Sequence, residues 1–509
     1  MYSEKNPLPQ ASPEMLGIDS RAILKFLKEL EVHRHNMHGF ILMRHGMIAA
    51  EGYYAPFRRD MLHRMYSVSK SFVSVAIGML QDEGKLSIHD KIAPYFPDKC
   101  PGGDPANLHP YVADATIRDL LMMATPFHTV SYSVLSNPEH DWVKTFFHMR
   151  PNHRAGQIFC YDTAGTTVLC ALVERLSGLS LLDYLRSKGF AEMGFSRDAT
   201  CVKTPDGKNS WGGSGILCTV RDLAKFAEMC LHYGNFQGKQ LVSESYMREA
   251  TAKQIENGEY GYGYQFWRKQ YGFCCYGMGG QMVYFLPELD LALITVGDMQ
   301  GQNGYIPWME QLFYEIVLPT VGEIREENHD AFTELTEYCD HLEIQTVAGA
   351  KTSPMTELIA GRSYRMEQAP EDIPLSLRLT RLCVELDPER EEGILHFDDA
   401  AGERSLGFGL GHFVHQDFPR FASRRSMLAQ GNLIYGFDRE NVKTHMPCIT
   451  SAAWKSDHEL QITCYAIGYY CGTLDIRLSF DEDTVTAFMQ PYAERFWMDL
   501  SGFQTGTLI

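Results

Sequence analysis

The hydrophobic pattern of this chain changes period once, and that change limits the fold more than any other feature. Up to about residue 325, apolar residues recur at helical spacing between short apolar runs, whereas beyond Gly361 they alternate. A period near 3.6 buries one stripe of a helix and a period of 2 buries one face of a strand, so the two parts need different architectures. In the first part, Ile23, Leu24, Leu27 and Leu30 predict a helix over residues 19–31. Apolar runs at 40–43 and 47–50 flank Arg44-His45-Gly46 and predict two strands joined by a tight turn. Further helices are predicted from Ser67 onward, over 166–177 before Gly178, over 222–233 before Gly234, and over 306–317 before Pro319. Runs at 271–276, 282–286 and 291–296 predict strands around a glycine-rich centre. Residues 323–345 are polar and acidic and predict a connecting helix or linker. After them, the runs at 375–386, 394–397, 406–408, 460–465 and 474–480 predict strands only. The expected organisation is an α/β (α+β) body over 1–325, a linker over 326–354 and an all-β domain over 355–509.

Composition narrows the function. A chain of 509 residues with 45% hydrophobic and 22% charged residues builds a full core and is not disordered. Its 46 basic and 64 acidic residues give a net charge of −18, which repels phosphates and argues against nucleic-acid or anionic-lipid partners. No apolar segment resembles a signal peptide or a membrane span. The thirteen cysteines contain no C-x-x-C pair, and the adjacent Cys274 and Cys275 cannot form an ordinary bridge. Free buried thiols in a cytoplasmic protein are expected. His33, His35 and His38 lack a companion metal motif, so no metal is expected. The glycine-rich run 407–411 has neither a P-loop lysine nor a following helix, so it does not predict phosphate binding.

The chemistry points to Ser67-Val68-Ser69-Lys70 at a helix start. Residues three apart share a helix face, so Lys70 presents its amine beside the Ser67 hydroxyl. A serine hydroxyl needs an adjacent base to become a nucleophile, and a neutral lysine can serve. The helix N-terminus also offers N–H groups to a developing oxyanion.

The flanking sequence carries a resemblance. Met65-Tyr66-Ser67-Val68-Ser69-Lys70-Ser71-Phe72, Thr116-Ile117-Arg118-Asp119-Leu120-Leu121, Ala155-Gly156-Gln157-Ile158-Phe159-Cys160-Tyr161, Gly212-Gly213-Ser214-Gly215-Ile216 and Gly277-Met278-Gly279-Gly280-Gln281 follow one another in order. Together they resemble the S-x-x-K serine hydrolases of the β-lactamase-like superfamily, which includes class C β-lactamases, D-alanyl-D-alanine peptidases, esterases and nylon-oligomer hydrolases. The resemblance spans residues 15–320. It implies an antiparallel sheet flanked by helices, with a helical subdomain near residues 80–210. It also implies Ser67 as nucleophile, Lys70 and Tyr161 as proton carriers, and the backbone N–H groups of Ser67 and Gln281 as the oxyanion hole.

Two positions depart from the family pattern. Thr163 stands where the Y-x-N asparagine would be, and Met278 stands where β-lactamases carry the K-T-G lysine. Thr163, Met278, Gly279 and Gly280 are the expected substrate-binding positions. A methionine offers no charge to a carboxylate, so the expected substrate is a small-molecule amide or ester rather than a penicillin. No cofactor is implied. A true β-lactamase or D-Ala-D-Ala peptidase is the rival enzyme reading, and Met278 argues against it. A non-catalytic ligand-binding or assembly protein is the other rival, and the intact Ser67, Lys70 and Tyr161 set argues against that. The C-terminal part weakly resembles the lipocalin-like barrel appended to some of these hydrolases.

Overall fold

A computed structural model describes the chain except residues 1–5, 129–140, 205, 303, 369–376, 400–401, 419–445, 468–470, 494–496 and 498–499. The start of the predicted strand at 375–386 lies outside the described residues. Two compact units emerge: residues 1–299 with 304–343, and residues 300–303 with 344–509.

The first unit is built on strands β1 (Met37–Arg44), β2 (Met47–Tyr53), β3 (Trp267–Lys269), β4 (Gly272–Gly277), β5 (Gln281–Leu286) and β6 (Leu291–Gly297). They form one antiparallel sheet in the order β2-β1-β6-β5-β4-β3. The N-terminal hairpin therefore docks beside the last strand, with Phe40 opposite Thr295 and Leu42 opposite Leu293. Every residue of β1 and β6 is buried, which requires cover on both faces of the sheet.

Helices α1 (Ser20–Val32), α2 (Ser69–Asp82), α3 (Thr163–Ser177), α4 (Val220–Leu231), α5 (Tyr305–Leu312) and α6 (His329–Asp340) belong to the same unit. Capping chemistry sets their starts. The Asp19 carboxylate accepts the Arg21 N–H at 2.9 Å and opens α1. Thr219 and Asp222 form a capping box that opens α4 two residues before the predicted start. All of α4 is buried, and its Phe226 stacks on Phe72 of α2 at 3.9 Å. Asp162 caps α3, which begins three residues before the predicted start, and Gly178 ends it with φ 72°. The predicted 306–317 helix is α5 followed by a π turn over Phe313–Val317. Between α2 and residue 210, the described residues form helices and turns apart from the two-residue strand Thr200–Cys201. That strand pairs with Ile216–Cys218, which pairs with His63–Arg64 just before Ser67.

Residues 326–354 are shared by the two units, with the boundary at residues 343–344. α6 buries Leu335 and Cys339 in the first unit, where the Ala55 N–H donates to the Leu342 carbonyl at 2.8 Å. In the second unit, the Val347 N–H donates to Ser451 Oγ at 3.0 Å, and Ala350 bridges to Trp454.

The second unit contains β7 (Ser363–Met366), β8 (Arg381–Asp387), β9 (Glu392–Asp399), β10 (Gly402–Leu410), β11 (Val414–Phe418), β12 (Met446–Trp454), β13 (Glu459–Ala466), β14 (Gly472–Asp481), β15 (Thr484–Ala493) and β16 (Gly502–Leu508). Their order is β10-β9-β8-β7-β16-β15-β14-β13-β12-β11. A short parallel pairing, Gly409 with Ser451 and Leu410 with Ala452, joins β10 to β12 and closes nine strands into a barrel. Closure removes the free edges that an open sheet would present. Leu382, Val384, Leu395, Phe397, Leu474, Ile476, Leu478 and Phe480 are all buried in one core. Among the described residues, no helix is long and apolar enough to cross a membrane. All thirteen cysteines are free, and eleven of them are buried.

Candidate active site

Ser67 sits in a single 3-10 turn, Tyr66–Val68, that runs into α2. Tyr66 has φ 45°, a left-handed conformation that a tyrosine keeps only when its surroundings hold it. The buried Arg64 guanidinium lies over the Tyr66 ring at 4.8 Å and over Trp211 at 4.9 Å. It also donates to the Ser214 carbonyl at 2.9 Å, while the Met65 N–H donates to the Ile216 carbonyl at 2.8 Å. The chain thus turns sharply into the helix, leaving Ser67 half-buried while Val68, Ser69 and Lys70 are buried.

One helical turn on, Lys70 Nζ lies 3.0 Å from Ser67 Oγ and donates to the Gly213 carbonyl at 2.5 Å. The lysine side chain is withdrawn from solvent, with 1% of the residue exposed. Tyr161 approaches from the other side. Its phenol faces the Ser67 side chain closely enough to be influenced by it, and its ring lies 5.0 Å from Lys70 Nζ. Burial pushes the Tyr161 phenol well above its usual range, and the Ser67 side chain opposes this only in part. The phenol therefore holds its proton at neutral pH. Three residues from two distant stretches of sequence meet at one hydroxyl.

Thr163 does not stand on an open surface. It is buried at the start of α3, and a Cβ on Gly213 would lie 2.6 Å from its methyl group. Thr163 thus backs the residue whose carbonyl holds Lys70. Asp162 fixes this corner, accepting the Ala164 N–H and the Thr125 hydroxyl, each at 2.9 Å.

The end of β4 closes the site. A Cβ on Gly277 would lie 2.3 Å from the Met65 carbonyl oxygen and 2.9 Å from the Ser67 nitrogen, so only glycine permits this approach. Met278, Gly279 and Gly280 then make a tight turn with φ 82° and 96° at the glycines. The Gly279 N–H donates to the Tyr305 hydroxyl at 3.1 Å, and the Gly280 carbonyl accepts from Thr295 Oγ1 at 2.8 Å. Gln281 is fully buried and pairs with Gly277 across the hairpin. Its amide donates to the Met278 and Gly297 carbonyls, each at 2.8 Å. Of the expected substrate-facing positions here, Met278 is half-buried, whereas Gly279 and Gly280 are buried.

Several residues of the site were not singled out from the sequence. Gly213 and Gly277 stand inside the quoted motif runs, and the close contacts that identify them exist only in three dimensions. Trp267 stacks with Tyr161 at 5.5 Å and with Tyr276 at 5.0 Å, each pair tilted by 24°. Its signal was the aromatic crowding of Tyr262, Tyr264, Phe266 and Trp267. Among the described residues, no group of three His, Cys, Asp or Glu side chains is placed to hold a metal ion. His38 is buried with its ring stacked on Phe57 at 3.7 Å.

The chain is 27% identical over 260 residues to a 6-aminohexanoate-dimer hydrolase of Paenarthrobacter ureafaciens, covering 49% of this chain and 66% of that protein. It is 32% identical over 102 residues to the human serine beta-lactamase-like protein LACTB, mitochondrial, covering 16% of this chain and 18% of that protein. The matched stretches thus span less than two thirds of either relative. A solved structure described as a putative 6-aminohexanoate-dimer hydrolase from Bacillus anthracis aligns with 67% of this chain and 90% of its own, at 19% identity and a TM-score of 0.47. The Beta-lactamase family model matches residues 32–302, the stretch that holds Ser67, Lys70, Tyr161 and the Gly277–Gln281 turn. Since that match covers more than half of the 509 residues, the chain belongs to the Beta-lactamase family.

Proposed function

We propose that the protein is a serine hydrolase that cleaves a small-molecule ester or amide through an acyl-enzyme. The observation that carries this reading is the 3.0 Å separation of Lys70 Nζ from Ser67 Oγ, with the Tyr161 ring 5.0 Å from the same amine. In the proposed cycle, Ser67 Oγ attacks the carbonyl carbon while neutral Lys70 takes its proton. The backbone N–H groups of Ser67 and Gln281 stabilise the oxyanion. Lys70 returns the proton through Tyr161 to the departing alkoxide or amine. Water then attacks the acyl-enzyme by the reverse route and releases the acid.

The substrate reading rests on two side chains. Met278 offers no cation to a lactam carboxylate, and Thr163 is buried behind Gly213 instead of holding a peptide-like amide. Both favour neutral or differently charged esters and amides over penicillins and D-Ala-D-Ala peptides. The name of one relative, a hydrolase of a 6-aminohexanoate dimer, brings such a dimer into range for this chain. We read the barrel as a lipocalin-like scaffold filled by its own side chains. The net charge of −18 and the free thiols favour a cytoplasmic protein without nucleic-acid or membrane partners.

Intact-mass analysis with a fluorophosphonate tests the proposal. One adduct per chain is expected, and it should vanish in Ser67→Ala. Labelling that persists in the variant would remove Ser67 from the mechanism. A parallel panel of p-nitrophenyl esters, amides and a chromogenic cephalosporin ranks the substrate classes.

A further inference from the structure

We infer that Trp267, with Tyr276, forms a leaving-group subsite that selects planar, uncharged leaving groups. The inference rests on the proposed roles of Ser67 and Tyr161. A proton donor must come within hydrogen-bond reach of the atom it protonates, so the departing group passes beside the Tyr161 hydroxyl. Whatever surface continues from Tyr161 then meets that group. Here the continuation is aromatic. Trp267 on the edge strand β3 stacks with Tyr161 at 5.5 Å and with Tyr276 on β4 at 5.0 Å. Phe159 meets Trp267 edge-on at 5.8 Å.

The cluster has a fixed side and an open side. Tyr262 is buried and stands edge-on to Trp267 at 5.0 Å and 85°, bracing the indole from behind. Tyr161, Trp267, Tyr276 and Phe159 are each half-buried, so none of these residues is sealed in the core. Burial raises the phenols of Tyr161, Tyr262 and Tyr276 above their usual range, so none of these rings carries charge at neutral pH. Glu259 influences Tyr276 electrostatically but is exposed, and water screens it. Offset stacking on such rings favours a flat apolar group.

Two acetate esters separate this subsite from the rest of the machinery, because both give the same acetyl-Ser67. With 1-naphthyl acetate, Trp267→Ala should lower kcat/KM about tenfold. With ethyl acetate the change should stay under about twofold, and decay of the acetyl-enzyme, followed by intact mass, should match wild type. Trp267→Phe should restore most of the naphthyl preference. Trp267→Leu keeps bulk without a ring face and should behave like the alanine variant, which guards against a fold defect. An equal loss with both esters, or an altered deacylation rate, would overturn the inference. So would a larger loss with 3-(trimethylammonio)phenyl acetate than with the naphthyl ester, since that would mark a cation site. If wild-type protein forms no acetyl-Ser67 at all, the proposed nucleophile fails, and the subsite with it.

Discussion

The two units bury polar groups in different ways. Around Ser67, the first unit buries Arg64, Lys70, Asp162, Gln265 and Gln281 among apolar neighbours. It also holds non-glycine residues at positive φ, Tyr66, Met123 and Gln265 among them. Gln265 shows how such a group is kept: its amide donates to the Leu120 and Leu121 carbonyls at 3.1 and 2.7 Å, and its carbonyl accepts from Thr166 at 2.7 Å. In the barrel, β14 and β15 alternate between buried and more exposed positions, and the inward residues are apolar. A buried polar atom left without a partner costs roughly 1–3 kcal/mol, so keeping every one of these groups partnered is a costly constraint on the first unit. Its cost is intelligible if those groups position the reactive serine. Along these two strands the barrel follows the cheaper rule of filling an interior with hydrocarbon, although Arg404, Thr450 and Gln504 are buried elsewhere in that unit.

The largest effect is expected from removing the base. Lys70→Arg should reduce ester turnover by about 10²–10⁴-fold while the protein remains folded, because arginine does not release its proton. Steady-state rates and a melting curve on the same sample check both halves. Near-wild-type turnover would show that the buried lysine is structural, like the barrel core.

The converse substitution lies in the barrel. Phe480→Ala should destabilise by about 3–5 kcal/mol, as expected for an aromatic removed from a filled core. Activity per folded molecule should not change. Urea unfolding combined with active-site titration gives both numbers. A fall in turnover at full occupancy of the folded state would give the barrel a catalytic role.

A smaller effect is expected at the turn after Gly277. Met278→Lys supplies the cation missing for a carboxylated lactam and should raise cephalosporin turnover relative to a neutral ester by about 10–100-fold. If the unmodified protein already turns over cephalosporins efficiently, Met278 does not discriminate, and the β-lactamase reading should replace the esterase one.

The smallest effect is electrostatic and tests whether the two units melt apart. His232 follows α4, with Nε2 3.1 Å from Asp290 and Nδ1 3.0 Å from Glu228. Its hydrogen bonds to Asp290 and then Glu228 raise its pKa from 6.5 to about 10. A raised histidine pKa contributes stability that is complete below the unfolded value and is lost as pH climbs through the folded one. The first unit should therefore lose stability between pH 6.5 and 10, and His232→Gln should flatten that slope. Thermal melts across this range check it. A slope confined to the barrel transition would contradict the assignment.

Much of the fold was legible because its signals are local. The strands around Arg44-His45-Gly46, the α1 start at Asp19 and the α3 stop at Gly178 depend on residues within a few positions of each other. The early start of α3 was missed because apolar periodicity begins at Thr166, while the cap is set by Asp162 bonding to the Ala164 N–H. The division of 326–354 was missed because its acidic surface resembles a linker, although Leu335 and Cys339 bury themselves in the first unit.

The sequence by itself determined that Ser67 and Lys70 would be neighbours, since one helical turn brings residues three apart together. It also determined that the C-terminal part would be a sheet, since alternation leaves no other way to bury one face. Tertiary structure alone decided how Lys70 is aimed, because the carbonyl that holds it belongs to Gly213, 143 residues away. It decided that Gly277 would abut the Ser67 turn and that Trp267 would stack on Tyr161. It decided barrel closure as well, through two residue pairs between β10 and β12. The physical reason is common to all of these: hydrogen-bond direction, ring stacking and strand register depend on relative positions in space. Those positions are fixed only when segments remote in the chain pack together.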